Sequence, residues 1–230
     1  MRHLAIGDVH GWLSVLVTLV EFVGVREDDV VVTLGDYIDR GPDSYGVIEW
    51  LLGYQQRGNL VPLLGNHEAM MLDARHDRWA FNDWQDSGGK QTLQSYSPLG
   101  DAGKLTDVPD EHWDFLENTC RRYYETDTHI FVHANLYPDL PMDEQSELIL
   151  LWEYFEDPAP HYTGKTMVCG HTRQLSGQPK NVGHAVCIDT NVNRSGWLTC
   201  LDVNSGMYWQ ANKNGETRAN WLDEAHFDDC

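Results

Sequence analysis

The sequence predicts an α/β fold of mixed α and β segments. Two mixed sheets are expected to stack as a sandwich flanked by helices, in one domain over residues 1–230. Two observations carry this expectation. The first seventy residues alternate short apolar runs with helix-period segments, a β-α-β-α-β order whose right-handed crossovers make a parallel sheet. Past residue 120, further apolar runs end in polar loops or turn back as hairpins, which calls for a second sheet. The length of 230 residues is enough for one full core, and no Pro/Ser/Gly-rich linker divides the chain.

In order along the chain, Leu4-Ala5-Ile6 runs into Gly7-Asp8-Val9-His10-Gly11. A helix over 12–23 follows, with Leu13, Leu16, Val17, Val20 and Val23 at helical spacing and Gly24 as its C-cap. The apolar run 30–34 ends in Gly35-Asp36-Tyr37-Ile38-Asp39-Arg40-Gly41. Asp43 or Ser44 then caps a helix carrying Val47, Ile48, Leu51 and Leu52, which Gly58 ends. A third strand over 60–64 runs into Gly65-Asn66-His67-Glu68, although Pro62 fits only an edge or a bulge because it lacks a ladder donor. A helix continues from Glu68 through Met70, Met71 and Leu72. Residues 76–110 show no clean period, and Trp79, Phe81 and Trp84 read as packing residues. A helix near 109–119 leads to Arg121–Thr126 and to the strand 129–132, which ends in His133-Ala134-Asn135. The strand 166–169 ends in Gly170-His171-Thr172. The runs 184–189, 197–203 and 207–211 read as antiparallel, with Asn204-Ser205-Gly206 turning the last hairpin.

The carboxyl edge of a parallel sheet is where ligands collect, and Gly followed by Asp or Asn recurs there. Asp36 and Asp39 are three residues apart, so a loop coiled like a helical turn brings them together. Adjacent carboxylates resist joint ionisation unless cations neutralise them. Arg40 is one such cation, and a bound metal would be a stronger one. An N-cap aspartate with a surface Asp–Arg pair would explain one motif but not its recurrence. His133 and His171 repeat the strand-then-ligand design. His3, His76, His112, His129, His161, His184 and His226 read as structural or exposed.

The chain has 36 acidic and 16 basic residues, a net charge of −20 and a pI near 4.7. That field argues against nucleic acid or membrane partners, and an anionic substrate would need a local positive centre. There are five cysteines and no CxxC pair; Cys169, Cys187 and Cys200 fall in apolar runs and read as core. With no signal-peptide pattern and no apolar segment of membrane-spanning length, a reducing cytoplasm is expected.

Together, GDVHG (7–11), GDYIDRG (35–41), GNHE (65–68), HAN (133–135) and GHT (170–172) resemble the phosphoprotein phosphatase branch of the calcineurin-like metallophosphoesterases, over residues 3 to 190. The chain is most similar to the small bacterial and phage-type serine/threonine phosphatases. The resemblance implies two divalent metal ions, manganese first, with iron or zinc as alternatives. One would be held by Asp8, His10 and Asp36, the other by Asp36, Asn66, His133 and His171. It also implies direct in-line attack on a phosphomonoester by water that the metals activate, with no phospho-enzyme. His67 becomes the general acid, Asp39 its orienting partner and Arg40 a phosphate grip, with Asn66 also facing substrate. Phosphorylated proteins or peptides and small phosphomonoesters are the implied partners, with phosphotyrosine alongside phosphoserine and phosphothreonine. The chain departs from the pattern in one place. Phage-type members carry a second phosphate-gripping arginine shortly after a tryptophan; here Trp152 precedes Glu153-Tyr154-Phe155, and Arg173 is the candidate stand-in.

Two rival readings remain. A symmetrical bis(5'-nucleosyl)-tetraphosphatase has the same fold and metals, but its members usually carry Asp where Glu68 stands. A non-catalytic phosphopeptide-binding module would require a broken ligand set or a missing His67.

Overall fold

Side chains along strand β1 (His3–Ile6) alternate faces: Leu4 and Ile6 point one way and Ala5 the other, and all three are fully buried. The computed structural model describes residues 1–97, 99–194 and 196–223; His226 and Cys230 lie outside them. After β1 come helix α1 (Leu13–Val23), strand β2 (Val30–Thr33), helix α2 (Ser44–Gln55) and strand β3 (Asn59–Pro62). Next are three helices: α3 (Asn66–Ala74), α4 (Arg78–Trp84) and α5 (Lys90–Tyr96). Helix α6 (Asp110–Asp114), strands β4 (Tyr123–Glu125) and β5 (His129–Val132) and helix α7 (Glu147–Trp152) follow. The remaining strands are β6 (Thr166–Cys169), β7 (Lys180–Asn181), β8 (Ala185–Cys187), β9 (Leu198–Asp202), β10 (Met207–Ala211) and β11 (Thr217–Trp221).

The first sheet has the order β11-β10-β9-β1-β2-β3, and the second β4-β5-β6-β8-β7. β1, β2 and β3 are mutually parallel, as are β5, β6 and β8. Ala5, Val32, Leu34, Phe131, Val168 and Ile188 meet between the sheets. Leu4, Ile6 and Val31 face away, under α1 and α2, while Ile130, Val132 and Met167 face α7 on the far side. The result is four layers, helix–sheet–sheet–helix, and strands buried on both faces read as continuous apolar runs. α1 ends where expected, with Gly24 left-handed at φ 60°.

The edge position expected for Pro62 is found, and several other expectations change. Pro62 is the last residue of β3, and β3 is an edge strand, so its missing N–H interrupts no ladder; its carbonyl accepts from the Arg121 N–H at 2.9 Å. Residues 185–187 are not antiparallel to the later strands. β8 lies in the second sheet, parallel to β6, and its antiparallel partner is β7. β11 was not anticipated, because its Thr-Arg-Ala-Asn-Trp sequence has no clean apolar alternation. The segment 76–96 forms two helices meeting at a kink at Gly88, and Trp79 is exposed instead of packed. His112 and His161 are buried structural residues: His112 bonds Tyr96 and Glu49, and His161 bonds Thr163 and the Leu140 carbonyl.

Candidate active site

Both parallel trios end at the same edge of the sandwich. β1 delivers Asp8 and His10; β2 delivers Asp36, Asp39 and Arg40; β3 delivers Asn66 and His67 at the start of α3. From the second sheet, β5 delivers His133, β6 delivers His171 and β8 delivers Asp189. The first two loops are laced together by Val9 and His10 N–H groups on the Asp36 carbonyl, at 3.0 and 2.8 Å. Seven described non-glycine residues have positive φ, and five are His10, Asp36, Asp39, Arg40 and His171. Such conformations persist where surrounding structure over-determines them, and they concentrate at functional sites.

Asp36 is the centre. Its carboxylate groups with His10 and His67 on one side and with His133 and His171 on the other; within each group, ligand-capable atoms lie within 4.8 Å of one another. Asp36 Oδ1 also accepts the His67 backbone N–H at 3.1 Å, in the first turn of α3, where helix amides favour negative charge. Burial alone would raise the Asp36 pKa, but His133, His67 and His10 hold it well below the usual carboxylate range.

Three of the four imidazoles share one design. His10 Nδ1 donates to the Ile38 carbonyl at 3.0 Å, His133 Nδ1 to the Leu34 carbonyl at 2.7 Å, and His171 Nε2 to the Trp152 carbonyl at 3.2 Å. A carbonyl only accepts, so each bond fixes the tautomer and leaves the other ring nitrogen as a lone pair toward the Asp36 cluster. The Arg40 Nη1 donates to His10 Nε2 at 2.6 Å, and Asn66 Oδ1 lies 3.0 Å from His133 Nε2 and 3.2 Å from His171 Nδ1. Burial lowers the pKa of all three rings, that of His171 to about 4 with His133 adding to the effect. They are therefore neutral, the form that ligates a metal.

Asp8 lies outside both clusters. Its two oxygens accept the His171 N–H at 3.2 and 3.1 Å. Burial, then Asp189 and Asp36, push its carboxyl well above the usual range, and burial takes Asp189 up to about 6. Neutral imidazoles aimed at crowded buried carboxylates form a donor set that a divalent cation would satisfy, so the residues fit metal binding.

His67 is different. Its Nδ1 is 2.6 Å from Asp39 Oδ2, and although burial pulls its pKa down, Asp36 and the Asp39 hydrogen bond raise it above the ordinary histidine value. Asp39 is fully buried and tightly held. Trp84 Nε1 donates to its oxygens at 3.1 and 2.9 Å, and Thr92 Oγ1 donates at 2.6 Å. Thr92 and Ser44 accept its backbone N–H at 2.8 and 3.1 Å. Sequence reasoning missed these supports, since Trp84 had been read as packing. Gly88 is the hinge that admits them: at φ 125° its carbonyl accepts the Arg40 N–H, and a Cβ there would lie 2.8 Å from Arg40 N and Cγ.

Glu68, the residue on which two rival readings turned, is fully buried beneath the site. One oxygen accepts the Asp36 and Gly65 N–H groups at 2.8 and 2.9 Å, the other those of Tyr37 and Ile38 at 2.8 and 3.2 Å. It ties the second loop to the third. Gly65 must be glycine, because a Cβ would lie 2.3 Å from Asp36 N and Oδ1.

Over this floor lies a pocket of about 160 Å³ lined by Asp36, Arg40, Asn66, His67, His171 and Arg173, with Trp152 and Tyr154 at its side. Arg173 thus sits with Arg40 at one pocket. The site can hold cations at Asp36, present a protonated imidazole, and surround an anion with guanidinium groups.

Comparison with known proteins agrees with this chemistry. The model of the calcineurin-like phosphoesterase family matches residues 1–186. Serine/threonine-protein phosphatase 1 of Salmonella typhimurium is 33% identical over 139 residues, 60% of each chain. The symmetrical bis(5'-nucleosyl)-tetraphosphatase of Wigglesworthia glossinidia brevipalpis is 36% identical over 73 residues, 31% of this chain and 26% of that one. The chain thus spans about 60% or less of the curated relatives it matches. A cold-active protein-tyrosine phosphatase from a Shewanella species shares the fold, with a TM-score of 0.62 at 19% identity, covering 95% of this chain and 80% of that one.

Proposed function

The chain belongs to the calcineurin-like phosphoesterases, and from that premise we propose that it is a single-domain phosphomonoester hydrolase acting on phosphorylated proteins or peptides at serine or threonine. Small phosphomonoesters would be accepted too, and phosphotyrosine would also fit so shallow a site. The observation that carries the reading is the contrast between His67, bonded through Nδ1 to Asp39 with its pKa raised, and three imidazoles around Asp36 whose pKa values burial lowers. Asp8, His10 and Asp36 would hold one divalent ion, and Asp36, Asn66, His133 and His171 a second. Mixed imidazole, carboxylate and amide ligands favour manganese, with iron or zinc next. When bound, the ions supply Lewis acidity and an activated water.

The chain's own residues do the rest. Arg40 and Arg173 flank the phosphoryl group and grip its oxygens, a planar guanidinium fork matching two at once. Asn66 adds its amide. The His67 Nδ1 proton is held by Asp39, which leaves the Nε2 proton for the departing alkoxide. Asp39 keeps that imidazole charged and oriented, and Trp84 and Thr92 keep Asp39 in place. Among the described residues no helix is long and apolar enough to cross a membrane. Cys120, Cys169, Cys187 and Cys200 are free thiols, which supports a reducing cytoplasmic setting.

A second reading, hydrolysis of symmetrical dinucleoside tetraphosphates, rests on the Wigglesworthia match. A panel of phosphopeptides, p-nitrophenyl phosphate and diadenosine tetraphosphate on one Mn²⁺-loaded preparation separates them. Turnover of phosphopeptides above the dinucleotide supports the phosphatase, and the reverse order overturns it. Binding without turnover of any of them would indicate a phosphopeptide-binding module.

A further inference from the structure

The phosphate-sized pocket opens into a chamber of about 760 Å³ that shares Arg40, Asn66, His67, Trp152 and Arg173 with it. A phosphoryl group needs only the smaller space. The chamber begins at His67, whose proton goes to the leaving group, so it lies where the rest of the substrate must be. Its outer wall comes from two segments far apart in sequence: Gln85 to Gln91 around the Gly88 kink, and Asn193 with Arg194 after β8.

Charge on this wall reverses that of the molecule. The whole chain has 36 acidic against 16 basic residues. The chamber is lined by Arg40, Lys90, Arg173 and Arg194 against a single carboxylate, Asp86, which pairs with Lys90 at 3.0 Å. Among the described residues the Arg173 and Arg194 side chains make no ion pair or hydrogen bond, so both guanidinium groups are uncommitted. Unspent donors on an electropositive wall call for an anion that also accepts hydrogen bonds.

We propose that Lys90 and Arg194 form a second anion subsite that selects phosphopeptides carrying an acidic group, a carboxylate or a second phosphate, next to the phosphorylated residue. The inference rests on the phosphomonoesterase reading above. Arg40 and Arg173 take the phosphate that is cleaved; Lys90 and Arg194 take its anionic neighbour. In a molecule of net charge −20 the overall field opposes such a substrate, so a basic chamber at the site would also favour its approach there.

The test compares two phosphoserine peptides that differ only in flanking residues, Ala in one and Glu in the other, with p-nitrophenyl phosphate as reference and diadenosine tetraphosphate as a further substrate. Wild-type protein should prefer the acidic peptide in kcat/KM by about 5- to 10-fold at low salt, the preference shrinking as salt is added. In a Lys90→Ala, Arg194→Ala double variant the two peptides should converge to within about 2-fold, with p-nitrophenyl phosphate turnover unchanged. Arg194→Glu should reverse the order of the peptides. Both residues are exposed, and a melting curve matching wild type shows that the variants fold. An acidic preference that survives the double variant, or a wild type indifferent to flanking charge, overturns the subsite. A double variant impaired only on diadenosine tetraphosphate overturns the peptide as occupant. Failure of wild type to cleave any of these esters overturns the phosphomonoesterase reading, which normal p-nitrophenyl phosphate turnover would leave intact.

Discussion

His10 and His67 meet edge to face, ring centroids 4.9 Å apart, yet burial lowers the pKa of one while Asp36 and Asp39 raise that of the other. Part of the difference is one hydrogen bond: His10 gives Nδ1 to a carbonyl while Arg40 donates to its Nε2, whereas His67 gives Nδ1 to a carboxylate. Replacing His67 with Asn should lower kcat on alkyl phosphates by roughly 10²–10⁴-fold, with much less loss on nitrophenyl esters, whose leaving group needs no proton. Metal content should stay near wild type, and equal losses on both esters would remove the acid role. The sign of the pH effect follows. Because the His67 pKa is raised in the folded protein, activity should fall as pH rises through that raised value. Asp39→Asn removes the charge that stabilises the imidazolium, so the alkaline limb should move to lower pH. The histidines and carboxylates were legible because each lies in a polar loop that directly follows an apolar run, most of them after a glycine. Trp84 and Thr92 were not, since nothing local says that a residue 45 or 53 positions away will hold Asp39. Arg173 was signalled only by its place beside the GHT motif.

At the scale of elements, the informative piece is the arm formed by α4 and α5. Its helices have seven residues each, too short to display a period, and Gly88-Gly89 between them reads as an ordinary breaker. The kink instead brings Trp84 and Thr92 onto one carboxylate while the Gly88 carbonyl takes the Arg40 N–H. Gly88→Ala should therefore cost about 1–3 kcal/mol from the positive φ alone, and more from the contact with Arg40. Denaturant unfolding measures the first effect. A larger fall in kcat/KM than in the folded fraction at assay temperature measures the second, and a variant with wild-type kinetics would detach the kink from catalysis. The direction of β8 was misread for a related reason. Three apolar residues fix that a strand exists, but only the choice of sheet fixes its sense.

At the scale of the molecule, the candidate ligands come from both sheets: Asp8, His10, Asp36 and Asn66 from the first, His133 and His171 from the second. Ions bound there would fasten the two halves together. At a free metal concentration 1,000 times the dissociation constant, binding to the folded state adds about 4 kcal/mol. For a chain of this size that corresponds to a rise in Tm of roughly 8–16 °C. Chelator-treated protein should melt lower by that order, recover with Mn²⁺, and regain turnover in parallel; a Tm indifferent to metal would argue against ligands from both halves. Two sheets and the edge where loops converge were legible from the recurring strand ends. The neighbours of β1 were not, because its second partner, β9, lies nearly 200 residues further along the chain.

That placement of β9 has a consequence for how the protein is made. As the chain leaves the ribosome, β1 finds β2 within thirty residues, but its other edge stays unpaired until residues 198–202 have emerged. Until then the centre of the first sheet is an open template of backbone donors and acceptors, with apolar Leu4 and Ile6 alongside. His171, one of the candidate ligands, also arrives late. A nascent chain is therefore at its most adhesive while the candidate site is still incomplete, and the closing of that edge and the arrival of His171 come within about thirty residues of each other.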